Sequence, residues 1–375
     1  MRGADDPRPS TLRVCRHLDE LPLPDTCHTY DAPDARPIPL SSGAARQPES
    51  ILMSLMVNGA LREDWLEAET ENGEFVRKDS QFRHWITPDG SPGPSGEGGF
   101  PAEPDRYHLY VSWACPWAHR TLIFRQLKGL EKLISVSVVN PFMHDPGWSF
   151  EAHPGSTPDH LHGARYLHEL YTRADPDYTG IVTVPVLWDK QHDTIVNNES
   201  AEIIRMFNSA FDAFTDRDAD YYPQALRPEI DAVNERVYDT LNNGVYRAGF
   251  AASQEAYDRA FDALFDTMDW LEGRLAGQRY LVGGRLTEAD WRLFTTLVRF
   301  DAVYYSHFKC NRRRLIDYPN LWAFTRELYQ VEGIAGTVNL EQIKTHYYGS
   351  HRQINPSGII PRGPVLDFGA PHGRG

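Results

Sequence analysis

Over residues 1 to about 50 the apolar and polar positions keep no sustained period, and Pro, Asp, Arg and Ser dominate, so 1–52 reads as a disordered extension. Ordered composition begins where Met53 and Met56 are followed by VNGALREDWL, and a native start there would make the preceding residues an addition. Phe75 to Pro104 carries several aromatics and then a Gly/Pro-rich run, so 53–106 reads as an ordered coil that wraps the next domain and is pinned by its rings. From Tyr107 the pattern becomes regular. HLYVS is a short apolar run with β-branched and aromatic residues and predicts a strand over 107–112. Leu122, Ile123 and Leu127 then share one face at helical spacing, predicting a helix over 116–129 with Lys128-Gly129 as its stop. LISVSVVN predicts a strand over 133–140. A loop with Pro141, Gly147 and Trp148 and a polar region to Gly180 follow, then the strands VPVLWD and TIVN joined by a polar turn, and a helix from Ser200 to about Asn208.

The order βαβ…ββα, with a right-handed crossover between its first two strands, is that of a thioredoxin-like domain, placed at 107–210. After a linker near 210–226 with Pro223 the pattern is helical throughout: 228–243, 253–275, 287–305 and 317–330 all space their apolar residues three or four apart. In RLTEADWRLF, Thr287 is set to cap a helix while Asp290 reaches back, and Leu286 can pack on Trp291. The fold class is therefore α/β followed by all-α. A helical domain at 226–364 packs on the thioredoxin-like one, and 365–375 is a tail.

Composition narrows the partners. Lys+Arg 38 against Asp+Glu 52 leaves a net charge of −14, which argues against nucleic acid or an anionic membrane surface. No apolar run reaches the ~18 residues that span a bilayer, and MRGADDPRPSTLRV lacks the apolar core of a signal peptide, so a cytoplasmic protein is expected. The cysteines at 15, 27, 115 and 310 are too scattered for a disulfide framework or paired metal ligands. His144, His153, His160, His162 and His168 lie in a Pro/Gly/Asp-rich stretch without metal-site spacing, so no metal is expected.

Cys115 stands where a strand ends and a helix begins. There the unpaired N–H groups and the helix dipole favour an anion, Pro116 fits the first turn, and a thiolate with a lowered pKa is expected. This makes Cys115 the candidate nucleophile, set against the plain alternative of a packing residue. Ala118 occupies the second position of what would be Cys-x-x-Cys, so disulfide chemistry here needs a small-molecule thiol, with glutathione the obvious one. Val184-Pro185 precedes a strand, where Pro must sit at an edge or carry a cis bond. Ser200, after Asn198-Glu199, can act as N-cap and leave N–H groups free for a carboxylate, or the pair is simply a helix cap.

CPWAHR, GIVTVPVLWDK, IVNNESAEII, GVYRAGFA and HYYGSHRQINPSGIIP together resemble the glutathione transferases, and within them the glutathionyl-hydroquinone reductases or Xi class, from about Val57 to Pro364. The resemblance implies glutathione as co-substrate, a Cys115–glutathione mixed disulfide and a homodimer. It implies that Glu199 and Ser200 hold the γ-glutamyl end, that Val184 beside Pro185 pairs with the cysteinyl unit, and that Trp148 packs on the tripeptide. Tyr246, Tyr347 and Tyr348 match positions lining the hydroquinone pocket, with core packing the alternative for each. Relatives usually carry Arg where this chain has Ile181, and Arg173 is the candidate substitute for holding a glutathione carboxylate. Two other readings remain: an omega-like thioltransferase or dehydroascorbate reductase, and a non-catalytic ligand-binding protein on the same fold.

Overall fold

The computed structural model describes residues 54–62, 70–71, 73–143 and 146–375. The expected disordered extension, Met53, Cys15, Cys27 and His144 lie outside them.

Four strands form the central sheet. β5 (Tyr107–Val111) pairs in parallel with β6 (Ile134–Val138) and antiparallel with β8 (Val186–Asp189), which pairs antiparallel with β9 (Thr194–Asn197). Every residue of β5 and β8 is buried, because helices cover both faces of the sheet. α1 (Pro116–Leu127) makes the crossover from β5 to β6, and α3 (Ser200–Ser209) follows β9. The region to Gly180 is not only loop. α2 (Leu167–Ala174) buries Leu167, Leu170 and Tyr171, and its Glu169 carboxylate accepts the Tyr166 N–H at 2.9 Å. This helix was missed because its eight residues hold little more than two turns of apolar pattern inside a polar stretch. It completes a thioredoxin-like βαβαββα order.

The chain ahead of β5 is partly extended. β1 (Ser54–Val57) pairs with β2 (Ala60–Arg62) and, across more than a hundred residues, with β7 (Gly180–Val182), while β3 (Thr70–Glu71) pairs with β4 (Glu74–Phe75). Phe82, His84 and Asn198 then exchange backbone bonds along β9: His84 N–H donates to Val196 O and Asn198 N–H to Phe82 O, at 3.0 and 3.1 Å. This closes an otherwise open sheet edge. Phe75, Ile86 and Phe100 are buried, and Phe82 stacks on Tyr178 at 5.6 Å. A buried ion pair, Arg106–Asp189 at 2.6 Å, ties the start of β5 to the end of β8.

The second half is helical: α4 (Arg227–Val237), α5 (Gly244–Gly249), α6 (Gln254–Gly277), α7 (Glu288–Arg299), α8 (Pro319–Tyr329) and α9 (Leu340–Ser350). Two predicted helices end early, and π-helical turns continue them over Tyr238–Asn242 and Phe300–Tyr304. α7 is buried along its whole length, and its Thr287 cap is as expected, with Asp290 accepting the Thr287 N–H at 2.8 Å. Glu288 accepts from Arg205 of α3 at 2.8 Å and from Asn234 of α4 at 2.9 Å, joining the two halves. The tail is docked on α8: Phe368 lies 5.2 Å from both Trp322 and Tyr329, and Arg374 pairs with Glu327 at 2.7 Å. Among the described residues no helix is long and apolar enough to cross a membrane.

Candidate active site

Cys115 is the N-cap of α1, with Pro116 at the first helical position. Its Sγ donates to the Val184 carbonyl at 3.4 Å, just before the cis Val184-Pro185 bond that leads into β8. The expected fall in thiol pKa is not what the fold produces. Burial pushes the Cys115 thiol up, and the N–H groups of Ala118 and Trp117 and the charges of Arg299 and Arg77 offset it only in part. Position at a helix start favours an anion, but withdrawal from water is the larger effect here. The other described cysteine, Cys310, is also free and fully buried.

Two adjoining hollows meet beside the thiol. The first, about 630 Å³, is lined by Cys115, Trp117, Trp148, Phe250, Tyr246 and Tyr347, with Arg77, Val184, His346 and His351 also on its wall. Trp148 stacks on His346 at 4.9 Å, and the His346 Nδ1–H is directed at the Pro141 carbonyl at 2.9 Å. The second, about 490 Å³, is lined by Glu199, Ser200, Asn198, Val184 and Pro185, with Arg77, Lys78 and Ser80 opposite. Arg77, Trp117 and Val184 line both, so the hollows share a wall.

In the polar hollow Glu199, not Ser200, is the N-cap of α3: its carboxylate accepts the Ala201 N–H at 2.9 Å. The longer side chain folds back over the first turn, and Ser200 becomes the first helical residue, with its hydroxyl reached by Arg120 at 3.4 Å. Arg120 is buried against Trp117 and bonds Asn242 at 3.0 Å, and burial brings its pKa down to about 9.

At the far end of the aromatic hollow the Tyr246 and Tyr347 hydroxyls are 2.6 Å apart, and the Tyr304 hydroxyl stands 3.1 Å from Tyr347. Burial holds all three above the ordinary phenol pKa, so they are protonated near neutrality. Tyr348 does not line this cavity. It follows Tyr347 on α9 and so points about 100° away, its hydroxyl reaching Ser306 and the Ala302 carbonyl. Arg173 is also elsewhere, exposed and paired with Asp193 at 2.6 Å. Ile181 lines a hollow with Arg77, Lys78 and Asp79.

Arg77, Arg299, Tyr304 and His346 were not singled out from sequence. The one available signal was for Arg299, a charge at a position that the helical period assigns to the core. Among the described residues no three His, Cys, Asp or Glu side chains converge as metal ligands would.

Family models for the glutathione S-transferase N-terminal domain and C-terminal domain match residues 114–210 and 254–327. The chain is 58% identical over 323 residues to the glutathionyl-hydroquinone reductase YqjG of Escherichia coli K12, covering 86% of this chain and 98% of that one. The glutathione-bound structure of YqjG aligns with a TM-score of 0.78 over 78% of this chain and 96% of its own. Identity to the glutathionyl-hydroquinone reductase PcpF of Sphingobium chlorophenolicum is 56% over 313 residues, 84% of this chain and 97% of that protein. A Xi-class transferase structure from Natrialba magadii aligns with a TM-score of 0.81 at 51% identity, over 86% of this chain and 97% of its own. A thioredoxin-like domain with Cys115 at a helix start, the helical domain behind it and identities of this size over nearly the whole of each relative place the chain in the glutathionyl-hydroquinone reductase family, the Xi class of glutathione transferases.

Proposed function

We propose that this chain reduces glutathionyl-hydroquinones to hydroquinones at the expense of glutathione. One observation carries the reading: Cys115 lines an aromatic cavity that ends in tyrosine hydroxyls and shares a wall with a polar hollow bearing Glu199 and Ser200. A tripeptide thioether laid across the junction would put its sulfur at the thiol, its γ-glutamyl group at Glu199 and Ser200, and its ring among Trp117, Tyr246 and Tyr347. Val184 beside Pro185 would pair with the cysteinyl backbone, Trp148 would pack on the peptide, and Arg77 and Lys78 would meet a carboxylate. The glutathione-binding domain is then 107–210 and the helical domain 226–364.

In the first step the Cys115 thiolate attacks the glutathionyl sulfur. The S–S bond forms as the sulfur–ring bond breaks, and the ring carbon takes the electron pair and one proton. A second glutathione thiolate then attacks the glutathionyl sulfur of the mixed disulfide, releasing oxidised glutathione and the Cys115 thiolate. One glutathione thiol is consumed: its sulfur and the thioether sulfur leave as oxidised glutathione, and the ring is reduced by two electrons. Tyr246 and Tyr347, protonated, donate to a quinol oxygen. Glutathione is the co-substrate, and the reaction as written uses no metal. The family resemblance also carries a cytoplasmic homodimer, which gel filtration and cell fractionation test.

The deciding assay follows glutathionyl-menadiol with excess glutathione for wild type and Cys115→Ala. Equal release of menadiol and oxidised glutathione by wild type, none by the variant, and a trapped glutathionyl adduct on the Cys115 peptide are expected. A wild type that leaves the thioether intact while reducing mixed disulfides or dehydroascorbate would overturn the substrate assignment and keep the nucleophile.

A further inference from the structure

Arg299, the last residue of α7, is fully buried, and its guanidinium meets only neutral acceptors. Nε donates to the Ala114 carbonyl at 2.9 Å, and one terminal nitrogen donates to the Trp113 carbonyl at 3.0 Å. The other donates to the Thr295 carbonyl at 2.7 Å and lies 3.0 Å from His119 Nδ1. Because a guanidinium has no lone pair to offer, His119 Nδ1 must be the acceptor. The His119 proton is then on Nε2, 2.8 Å from Thr337 Oγ1, whose own hydroxyl donates to the Ile334 carbonyl at 2.7 Å. His119 is therefore neutral, in keeping with a pKa that burial and the Arg299 charge hold well below the usual range. No carboxylate lies within ion-pair distance of Arg299 among the described residues.

A buried cation without a counter-charge is expensive to keep, and packing alone does not call for one. Its position suggests what it serves. Trp113 and Ala114 are the two residues that lead into Cys115, so a side chain from the helical domain grips the turn that presents the nucleophile in the other domain. The charged and titratable groups around the thiol's cavity are Arg77 from the coil, Tyr246 from α5, His346, Tyr347 and His351 from α9, and Arg299 behind the turn. No acid lines this cavity, and Glu199 and Asp79 stand in the polar hollow that adjoins it. We propose that Arg299 is a positioning residue for Cys115, fixing the Trp113–Ala114 backbone and supplying an uncompensated positive charge that favours the thiolate without touching it. This rests on Cys115 being the nucleophile, but not on which thioether it attacks. The same charge pulls down the pKa of Tyr246 and Tyr347, against their burial.

The test is the pH dependence of iodoacetamide alkylation, read by mass spectrometry on the Cys115 peptide so that the other cysteines do not contribute. It needs no enzyme turnover, so its outcome is separate from that of the reductase assay. Arg299→Met is expected to raise the alkylation midpoint by about one pH unit, the order of effect of one fixed charge on a buried group. Arg299→Lys keeps the charge but replaces the flat fork aimed at the Trp113, Ala114 and Thr295 carbonyls by one ammonium, so its midpoint should stay within about 0.3 units of wild type while turnover falls. An unmoved midpoint in a folded Arg299→Met protein overturns the proposal. Should the Met variant not fold, the Lys variant decides alone, because a midpoint raised by about one unit there would show that the charge is not what matters.

Discussion

Replacing Tyr347 by Phe removes the middle hydroxyl of a three-tyrosine chain while keeping the ring that walls the cavity. Two short contacts vanish, at 2.6 Å to Tyr246 and 3.1 Å to Tyr304, and Tyr304 is fully buried, so its hydroxyl cannot turn to bulk water instead. Leaving a buried donor short of a partner costs about 1–3 kcal/mol, and the unfolding free energy of Tyr347→Phe should fall by that amount in urea denaturation. If the lost hydroxyl is also one that donates to the quinol oxygen, a similar 1–3 kcal/mol leaves the transition state, or roughly 5- to 150-fold in kcat/KM. Tyr304→Phe is the control. Its hydroxyl touches the same chain but does not line the cavity, so stability should fall by about 0.5–1.5 kcal/mol with kcat/KM changed less than about fivefold. The assay is steady-state release of hydroquinone from glutathionyl-menadiol beside urea unfolding of the same preparations. A Tyr347→Phe enzyme within twofold of wild type in kcat/KM, or a Tyr304→Phe enzyme as impaired as Tyr347→Phe, would refute the reasoning.

Acid should destabilise the fold at milder pH than carboxylate protonation would require. Burial brings the pKa of His108 and His307 down to about 3 and of His346 to about 4, and holds His119 and His351 well below the usual value. In the unfolded chain these imidazoles protonate near 6.5, so the stability they lend is complete above about pH 6.5 and is lost as pH falls toward about 3, by up to about 1.4 kcal/mol per pH unit for each. Asp290, raised by burial to about 6, and Asp301, also raised by burial, work in the opposite direction but are fewer than the imidazoles. Urea midpoints at pH 7, 6 and 5 should drop progressively, and a flat profile would contradict this. Separately, Arg106→Met removes the guanidinium from the buried Asp189 carboxylate, leaving it the Gln191 N–H and His192, and should lower the unfolding free energy by about 3 kcal/mol, whereas Arg106→Met with Asp189→Leu should recover part of it in the same urea titration.

What the sequence determined by itself is chemistry confined to a few neighbouring residues. Cys115-Pro116 at a strand-to-helix junction, the Pro after Val184, the cap formed by Thr287 and Asp290, and the strands over 107–111 and 194–197 all follow from local dihedral preference and period. The same locality explains the near misses: Glu199 and Ser200 are both able to cap α3, and only side-chain reach in the folded turn chose Glu199. Tertiary structure decided which side chains meet. Tyr246 and Tyr347 are 101 residues apart and Arg299 and Ala114 185 apart, so no window of sequence holds either pair. Tyr347 and Tyr348 are alike in type and adjacent, and the rotation of α9 against its neighbours turned one into the cavity and the other away. The thiol's pKa was settled the same way. The helix start is written beside Cys115, but the burial that outweighs it comes from a coil and helices far along the chain, because desolvation depends on everything packed around a group.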